Sequence, residues 1–222
     1  MNGPTMSVAP HDLVGFGDRY RFPAGPHYVE DVCALSSIRG PALEMRFGLV
    51  AMADPLVPSA APKFGDTSLG GGGTKATTLA AISRTRVDGS RVDPQCVAAA
   101  IGDVNQVVSW YPLLSHNNSR SHLEVDSGLG AFYEITDASL VWPLFEDDHY
   151  MQGIHDRALS ELVVPIEASG RVVASVFLVS GGAGVHPAWE GFDRDMSAVA
   201  MLVDTGILSA GERVQPGGEA VV

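Results

Sequence analysis

Two runs of β-branched residues near the C-terminal end constrain the fold more than any other feature of the chain. The first run covers residues 161–166 and the second covers residues 171–179, and the four residues between them end in Gly170. Val and Ile are favoured in strands because their branched side chains pack well on a pleated surface. Two such runs joined by a short Gly-containing turn predict a β-hairpin whose strands lie in the centre of a sheet.

Helical spacing of apolar residues predicts three amphipathic helices elsewhere. The first begins near Tyr28 and stops before Pro41, the second follows the favourable N-terminal pair Asp93-Pro94, and the third ends at Gly211. The apolar positions that define them are Val29, Val32, Cys33, Leu35 and Ile38 for the first helix, Val97, Ala100, Ile101, Val104 and Val108 for the second, and Phe192, Met196, Val199, Val203 and Ile207 for the third.

Two further strands are predicted in the first half of the chain. Residues 43–47 alternate between apolar and charged side chains and continue into the apolar residues 49–52, which indicates one strand. A second strand is predicted over residues 77–87, followed by a hairpin-type turn at Asp88-Gly89.

Loops are predicted where Pro, Gly and polar residues concentrate. Residues 53–76 form a long loop in this interpretation, and residues 116–126 form another. The glycines at 70–73 do not complete a phosphate-binding loop, because Ala76 stands where Ser or Thr must follow the lysine. Residues 1–26 are predicted to be a flexible arm, 27–210 a single domain, and 211–222 a tail.

The charge balance excludes some classes of partner. The chain has 222 residues, of which 26 are Asp or Glu and 14 are Lys or Arg, so the net charge is −12. Such a field repels nucleic-acid backbones and anionic membranes, which favours small molecules or other proteins as partners. No apolar run is long enough to span a membrane and no signal sequence is recognisable, so the sequence predicts a cytoplasmic protein.

The two cysteines indicate packing rather than chemistry. Cys33 and Cys96 are far apart in the sequence and each lies in an apolar stretch. Neither a disulfide framework nor a zinc motif has this spacing. We therefore expect two free thiols.

Several motifs in the last third resemble the end of a GAF domain. Ser160-Glu-Leu-Val-Val-Pro-Ile166 is followed by a turn, a second apolar strand and Phe192-Asp-Arg-Asp195. Upstream, Gly128-Leu-Gly130, Tyr133 and Val141-Trp-Pro-Leu144 resemble the segment that enters the ligand pocket of that family. The match is strongest over residues 128–208.

The resemblance implies an α+β fold of the GAF-like (PAS/profilin-like) type. In that fold a central antiparallel sheet carries helices on one face and a pocket covered by loops on the other. The first and last predicted helices would pack together and offer a surface for a homodimer.

Departures from the family motifs exclude several of its activities. GAF enzymes that reduce free methionine sulfoxide carry a cysteine seven residues before the motif glutamate, where this chain has Ile154. A thiol must attack the sulfoxide, so this activity is excluded. The cysteine–histidine pair of bilin-binding relatives and the signature of cyclic-nucleotide relatives are also absent.

The segment 146–157 is the one cluster of chemically versatile side chains. His149 and His155, together with Asp147, Asp148 or Asp156, have the ligand types of a non-haem metal site, and a lone histidine would suit haem. Their spacing matches no standard metal motif, so an acidic loop with solvated histidines is the alternative. A Ser160–His155–Asp156 relay is rejected because His155 and Asp156 are adjacent.

Aromatic residues and Glu161 complete the predicted ligand site. Rings near this segment would suit a small planar ligand, although they would serve equally as core. In the GAF family the position of Glu161 points at the ligand, whereas a neighbouring Arg157 would neutralise it. The predicted ligand-binding set is Trp110, Phe132, Tyr133, Trp142, His149, Tyr150, His155, Asp156 and Glu161.

The function that follows is a stand-alone small-molecule-sensing or regulatory module that acts through a dimer or a partner protein. The alternative is an enzyme on a GAF scaffold that uses Glu161, His149, His155 and Asp156, with a bound metal or haem. A pure interaction domain with a collapsed pocket is the third hypothesis.

Overall fold

A computed structural model describes residues 19–22, 31–57, 63–64, 69, 75–85, 98–114, 121–179, 182–205 and 212–214. In chain order its elements are β1 (Arg19–Phe22), β2 (Asp31–Met45), β3 (Val50–Ala53), β4 (Lys63–Phe64), β5 (Lys75–Thr85), β6 (Ala98–Gly102), a 3₁₀ turn (Val104–Gln106), β7 (Ser109–Pro112), β8 (His122–Val125), β9 (Leu129–Glu134), a second 3₁₀ turn (Ile135–Asp137), α1 (Ala138–Phe145), α2 (Asp148–Glu161), β10 (Val163–Ala168), β11 (Arg171–Leu178), β12 (Gly184–Phe192), β13 (Ala198–Asp204) and β14 (Glu212–Val214). The predicted α+β class with antiparallel strand pairing is confirmed.

The described strands form two antiparallel sheets. The larger sheet has the order β14-β1-β2-β5-β6-β13-β12-β7, and β8 pairs with β12 beside β7. The smaller sheet has the order β10-β11-β9-β3-β4. Strands that are distant in sequence are therefore neighbours in both sheets.

The two sheets pack face to face around an apolar core. Each contributes alternate side chains, because successive residues of a strand point to opposite faces. Prominent members of this core are Leu43, Met45, Ile101, Met201 and Val203 from the larger sheet and Val50, Met52, Phe132, Val163 and Phe177 from the smaller. The expectation that loops cover this face of the smaller sheet is wrong, because the larger sheet covers it.

Both helices lie on the opposite face of the smaller sheet. Their apolar side chains pack against strand residues that point away from the larger sheet, and we call this region the helix layer. It contains Val141 and Phe145 of α1, Met151, Ile154 and Ala158 of α2, and Ala51, Tyr133, Val164, Ile166, Ala174 and Val176 of the sheet. Helices on one face of an antiparallel sheet agree with the prediction.

The predicted hairpin is confirmed as β10 and β11. The two strands pair from Val163 opposite Phe177 to Ala168 opposite Arg171. The turn residues Ser169 and Gly170 have φ values of 53° and 76°. Two positive φ angles match the tight turns whose twist suits a hairpin, which explains why glycine ends this turn.

The single strand predicted over residues 43–52 is instead two strands in different sheets. β2 ends at Met45 and β3 begins at Val50, so the chain crosses from the larger to the smaller sheet between them. Gly48, with a φ of 73°, allows the sharp turn. By contrast, the prediction of a strand over 77–87 is confirmed by β5.

The first two predicted helices are wrong. Residues 31–45 form β2, which pairs with β1 on one side and β5 on the other. Ala98–Gly102 forms β6, between β5 and β13, and the chain continues as a 3₁₀ turn and β7. Pairing with distant strands overrides local helix propensity in these short apolar runs.

The predicted terminal helix is also wrong. Phe192 ends β12, residues 193–197 form a tight turn, and β13 runs back beside β12. The carboxylate of Asp193 accepts hydrogen bonds from the backbone N–H groups of Asp195 and Ser197, which holds the turn. The proposed dimer surface on two packed helices therefore does not exist in this form.

Several remaining predictions are corrected. Residues 146–157, predicted as a loop, belong almost entirely to α2; part of the predicted loop 116–126 is β8; and the predicted arm and tail contain β1 and β14. The glycines at 70–73, Asp88-Gly89, Asp93-Pro94 and Cys96 lie outside the described residues. The expectation of two free thiols stays a prediction.

Candidate functional site

Three aromatic rings pack edge to face in the helix layer. Tyr133 projects from β9, and Trp142 and Phe145 project from α1. The centroid of the Tyr133 ring lies 6.0 Å from that of Trp142 and 6.4 Å from that of Phe145, with interplanar angles of 78° and 86°. This is the geometry that the charge distribution of aromatic rings favours. Tyr133 and Trp142 of the predicted set therefore meet.

The hydroxyl of Tyr133 has no hydrogen-bond partner, although the residue is 0% exposed. Burial raises the pKa of this phenol, so the group stays protonated at neutral pH. An unpaired buried polar group costs about 1–3 kcal/mol. The helix layer thus holds one strong donor whose acceptor is missing.

Helix α2 begins and ends with recognisable signals. The carboxylate of Asp147 accepts a hydrogen bond of 3.0 Å from the N–H of Tyr150 and so caps the helix. At the other end Leu162 has a φ of 63°, a conformation that usually requires glycine. The Leu162 side chain is buried in the core between the sheets, and this burial offsets the strain.

His155 lies at the edge of the buried face of α2. Its neighbour Ile154 is in the helix layer, while the His155 side chain is about one-third exposed. Its Nδ1 atom is buried without a hydrogen-bond partner. The nearest carboxylate oxygen, Oδ1 of Asp156, is 3.7 Å away, which is too long for a hydrogen bond. His155 is the second residue on this side of the smaller sheet with unused hydrogen-bonding capacity.

Tyr150 packs against the same layer from the first turn of α2. Burial raises the pKa of its phenol, while the charge of Arg157 and a backbone hydrogen bond to Glu167 act in the opposite direction. Tyr150 therefore ties α2 to the turn end of the hairpin. Unlike Tyr133, it has a polar partner.

Three other predicted residues have exposed side chains: His149 and Asp156 on the solvent-facing side of α2, and Glu161 at its C-terminal end. His149 is exposed, and Asp156 accepts a hydrogen bond of 2.9 Å from Gln152. Glu161 forms two hydrogen bonds, of 2.9 and 3.0 Å, with Arg157 one helical turn earlier. Hydrogen bonding to Arg157 lowers the pKa of Glu161. The expectation that Glu161 faces a pocket is wrong; its neutralisation by Arg157, the alternative, is confirmed.

The helical conformation of 148–161 also separates the two histidines. Residues six apart on an α-helix point about 120° away from each other. Among the residues that the structure describes, no group of three or more His, Cys, Asp or Glu side chains is placed to hold a metal ion. The structure thus adds no support for a metal ligated by His149 and His155.

Phe132 and Trp110 lie elsewhere. Phe132 points into the core between the sheets, where its ring centroid is 5.3 Å from that of Phe177. Trp110 is buried on β7 of the larger sheet. Because neighbours on a strand face opposite sides, Phe132 and Tyr133 cannot line one pocket. Of the nine predicted residues, the structure brings Tyr133, Trp142 and Tyr150 into the helix layer, and His155 lies at its edge on α2.

Sequence reasoning missed two buried carboxylates at strand ends. Glu134, at the end of β9, accepts hydrogen bonds from the backbone N–H groups of Arg46, Phe47 and Gly48 and so holds the turn from β2 to β3. Asp54, after β3, accepts from the backbone N–H groups of residues 56, 126 and 127. An isolated acidic residue that directly follows an apolar strand was the available signal.

A buried ion pair was also missed. Both oxygens of the Asp137 carboxylate accept hydrogen bonds from the guanidinium of Arg171, one at 2.7 Å. These hydrogen bonds raise the pKa of Arg171. The pair joins the residue before α1 to the first residue of β11 and anchors the helix layer to the smaller sheet.

No protein-family model matches the chain, and neither a curated protein nor a solved structure is significantly similar to it. With 8 and 14 residues, α1 and α2 are both too short to cross a membrane, and no other helix in the described ranges meets that requirement.

Proposed function

We propose that this protein is a small-molecule-sensing or regulatory module of the cytoplasm, which acts through a dimer or a partner protein. Its ligand would enter the helix layer and contact Tyr133, Trp142 and His155. The observation that carries the proposal is the Tyr133 hydroxyl, which is buried and has no partner. A ligand with a carbonyl, carboxylate or ring-nitrogen acceptor would satisfy it.

The environment of this hydroxyl suits a planar ligand. Two rings stand perpendicular to Tyr133, and one of them, Trp142, is only half-buried. The unpartnered Nδ1 of His155 offers a second polar contact in the same region. A site with aromatic walls and few polar groups is typical of small-molecule binding.

The GAF relationship stays a prediction. The segment that resembles the last helix of that family is β13 here, so the proposal depends on the helix layer and not on the resemblance. The enzyme alternative requires the side chains of His149, His155, Asp156 and Glu161 to act together. His149 and Asp156 lie on the solvent-facing side of α2, Glu161 lies at its C-terminal end, and Glu161 is engaged by Arg157 and Asp156 by Gln152.

Ligand-observed NMR with a fixed set of planar fragments that carry hydrogen-bond acceptors tests the proposal. We expect fragments that bind wild-type protein to lose binding in Tyr133→Phe, which removes only the hydroxyl. Tyr111→Phe is the matched control, because Tyr111 is a half-exposed tyrosine on the larger sheet. If the Tyr133→Phe variant binds every fragment as well as wild type does, the assigned site is wrong.

A further inference from the structure

An apolar patch lies at the β7 edge of the larger sheet. We define the edge patch as Val108, Tyr111, Phe192 and Met196. The rings of Tyr111 and Phe192 pack edge to face with centroids 5.6 Å apart, and the N–H of Val108 donates to the carbonyl of Phe192 at 2.8 Å. Met196 follows in the turn that Phe192 enters, where its N–H donates to the carbonyl of Asp193.

Three members of the edge patch are far more exposed than core residues, whereas Phe192 is partly buried and packs against the core between the sheets. Val108 is 53% exposed, Tyr111 49% and Met196 60%. Met196 also has a φ of 59°, which an unbranched apolar residue adopts only at a cost of about 1 kcal/mol or more. Glycine or asparagine would hold this turn at lower cost, so the turn presents a methionine side chain to solvent despite the backbone strain.

Acidic residues surround the patch. Glu190 lies directly opposite Tyr111 in the strand pairing, and Asp193 and Asp195 occupy the turn next to Met196. Arg194 is the one basic residue in the turn 193–197. An apolar centre with an anionic rim complements a partner of the opposite charge.

The β7 edge is poorly suited to pairing with a strand of another chain. β7 has four residues and ends in Pro112, and short strands with proline are typical of edges that resist pairing with another chain. Recognition at this edge would therefore depend on side chains. A second copy of this chain would bring like charges together, since the net charge is −12.

We propose that the edge patch docks a basic amphipathic segment of a partner protein. Leucine-like side chains of the partner would cover Tyr111, Phe192 and Met196, and its lysines or arginines would face the surrounding carboxylates. The patch belongs to the larger sheet, whereas the proposed ligand site lies beyond the smaller sheet. The two proposals therefore stand or fall independently, and the edge patch would supply the protein contact that a sensing module needs.

The test uses a synthetic helical peptide of leucines and lysines, with a matched peptide in which glutamates replace the lysines. We expect the basic peptide to bind and the acidic peptide not to bind in fluorescence anisotropy. The double variant Tyr111→Ser/Met196→Ser should weaken binding by about tenfold or more, because both anchors are lost. Leu159→Ser, at a half-exposed position of α2, should leave binding unchanged.

A measurement on wild-type protein does not depend on the variants folding. The methyl resonance of Met196 should shift when the basic peptide is added, and binding should weaken as salt concentration rises. An unshifted methyl resonance, equal binding of both peptides, or equal loss in Leu159→Ser would overturn the proposal. If light scattering shows a dimer for wild type and a monomer for the double variant, the patch binds a second copy of the chain. That result would also overturn the proposal.

Discussion

Buried polar groups behave differently at the two ends of the smaller sheet and in the helix layer. At the turns, Glu134 and Asp54 each accept three backbone hydrogen bonds, and Asp137 is paired with Arg171. In the helix layer, Tyr133 and His155 each retain a polar atom without a partner. The first region uses its polar atoms to hold the fold together, whereas the second leaves hydrogen-bonding capacity unused.

This difference separates structural polar groups from candidate binding groups. A buried carboxylate that has its hydrogen-bond partners stabilises a turn. Removing those partners leaves an unpaired charge out of contact with water. An unpartnered hydroxyl only lowers stability unless something else binds to it. Ser175 and Trp189 each have one more buried polar atom without a hydrogen-bond partner. Both residues lie on strands, and in the described part of the chain neither is joined by an unpartnered polar atom from a helix. The helix layer is therefore the region in which a bound ligand would account best for buried polar atoms that have no partner in the protein.

The largest expected effect comes from a charge in the floor of the helix layer. Ile166 is fully buried on β10, so Ile166→Asp places an unpaired carboxylate among apolar side chains and should unfold the protein. Val185→Asp is the control, because Val185 is 64% exposed. Far-ultraviolet circular dichroism should show loss of structure in the first variant only. A folded Ile166→Asp protein would show that this floor is not a packed core.

The next effect concerns the ion pair between Asp137 and Arg171 at one end of the smaller sheet. Arg171→Met leaves the carboxylate of Asp137 buried without its partner, which should lower the free energy of unfolding by about 3–5 kcal/mol. The double variant Asp137→Leu/Arg171→Met should recover much of this loss, because no unpaired charge remains. Urea denaturation measures both. Equal losses in the single and double variants would show that the pair acts through packing alone.

Removing the unpartnered hydroxyl of Tyr133 should change the free energy of unfolding in the opposite direction. Without ligand, Tyr133→Phe should raise the free energy of unfolding by about 1 kcal/mol, because a desolvated and unpaired group disappears. Thermal denaturation of ligand-free protein measures the change. A loss of stability would mean that the hydroxyl already has a partner, and the contrast between the two regions would disappear.

A paired buried group at the end of β12 predicts a pH dependence. Burial lowers the pKa of His186 below the ordinary histidine value of 6.5, although backbone hydrogen bonds to Gly182 and Thr205 act against this. The unfolded state then binds the proton more readily, so stability is full above pH 6.5 and is lost as pH falls from there towards the folded pKa. Wild type should lose more stability than His186→Gln does between neutral and mildly acidic pH. Identical pH profiles would contradict this.

The smallest effect is expected on the exposed face of α2. Glu161→Gln removes the charge of an ion pair that is about half-exposed, so stability should change by less than about 0.5 kcal/mol. Fragment binding should be unchanged, since the Glu161 carboxylate is about half-exposed and is held by Arg157. A clear loss of binding in this variant would show that Glu161 belongs to the ligand site and would contradict its assignment to the exposed part of α2.

The hairpin β10–β11 could be predicted because its information is local. Both strands and their Gly-containing turn lie within one short segment. β6 and β13 could not, because Ala98–Gly102 and Ala198–Asp204 have helical spacing and the two strands are paired with each other across a long stretch of sequence. Such pairing depends on residues that a local pattern does not contain.

The candidate site was predicted in part for similar reasons. Tyr133 and Trp142 were chosen as aromatic residues near one segment, and the structure places their rings in contact. Strand alternation would have separated Phe132 from Tyr133 at the outset. That the Tyr133 hydroxyl has no partner could not be predicted, because a missing contact is a property of the surrounding packing.

The most direct test of the central claim observes the Tyr133 hydroxyl itself. In protein with isotope-labelled tyrosine Cζ carbons, the chemical shift of each Cζ reports hydrogen bonding at the attached oxygen. When a binding fragment is added, the resonance of Tyr133 should move and that of Tyr111 should not. A fragment that binds yet leaves the Tyr133 resonance in place would contradict the assignment of the helix layer as the ligand site.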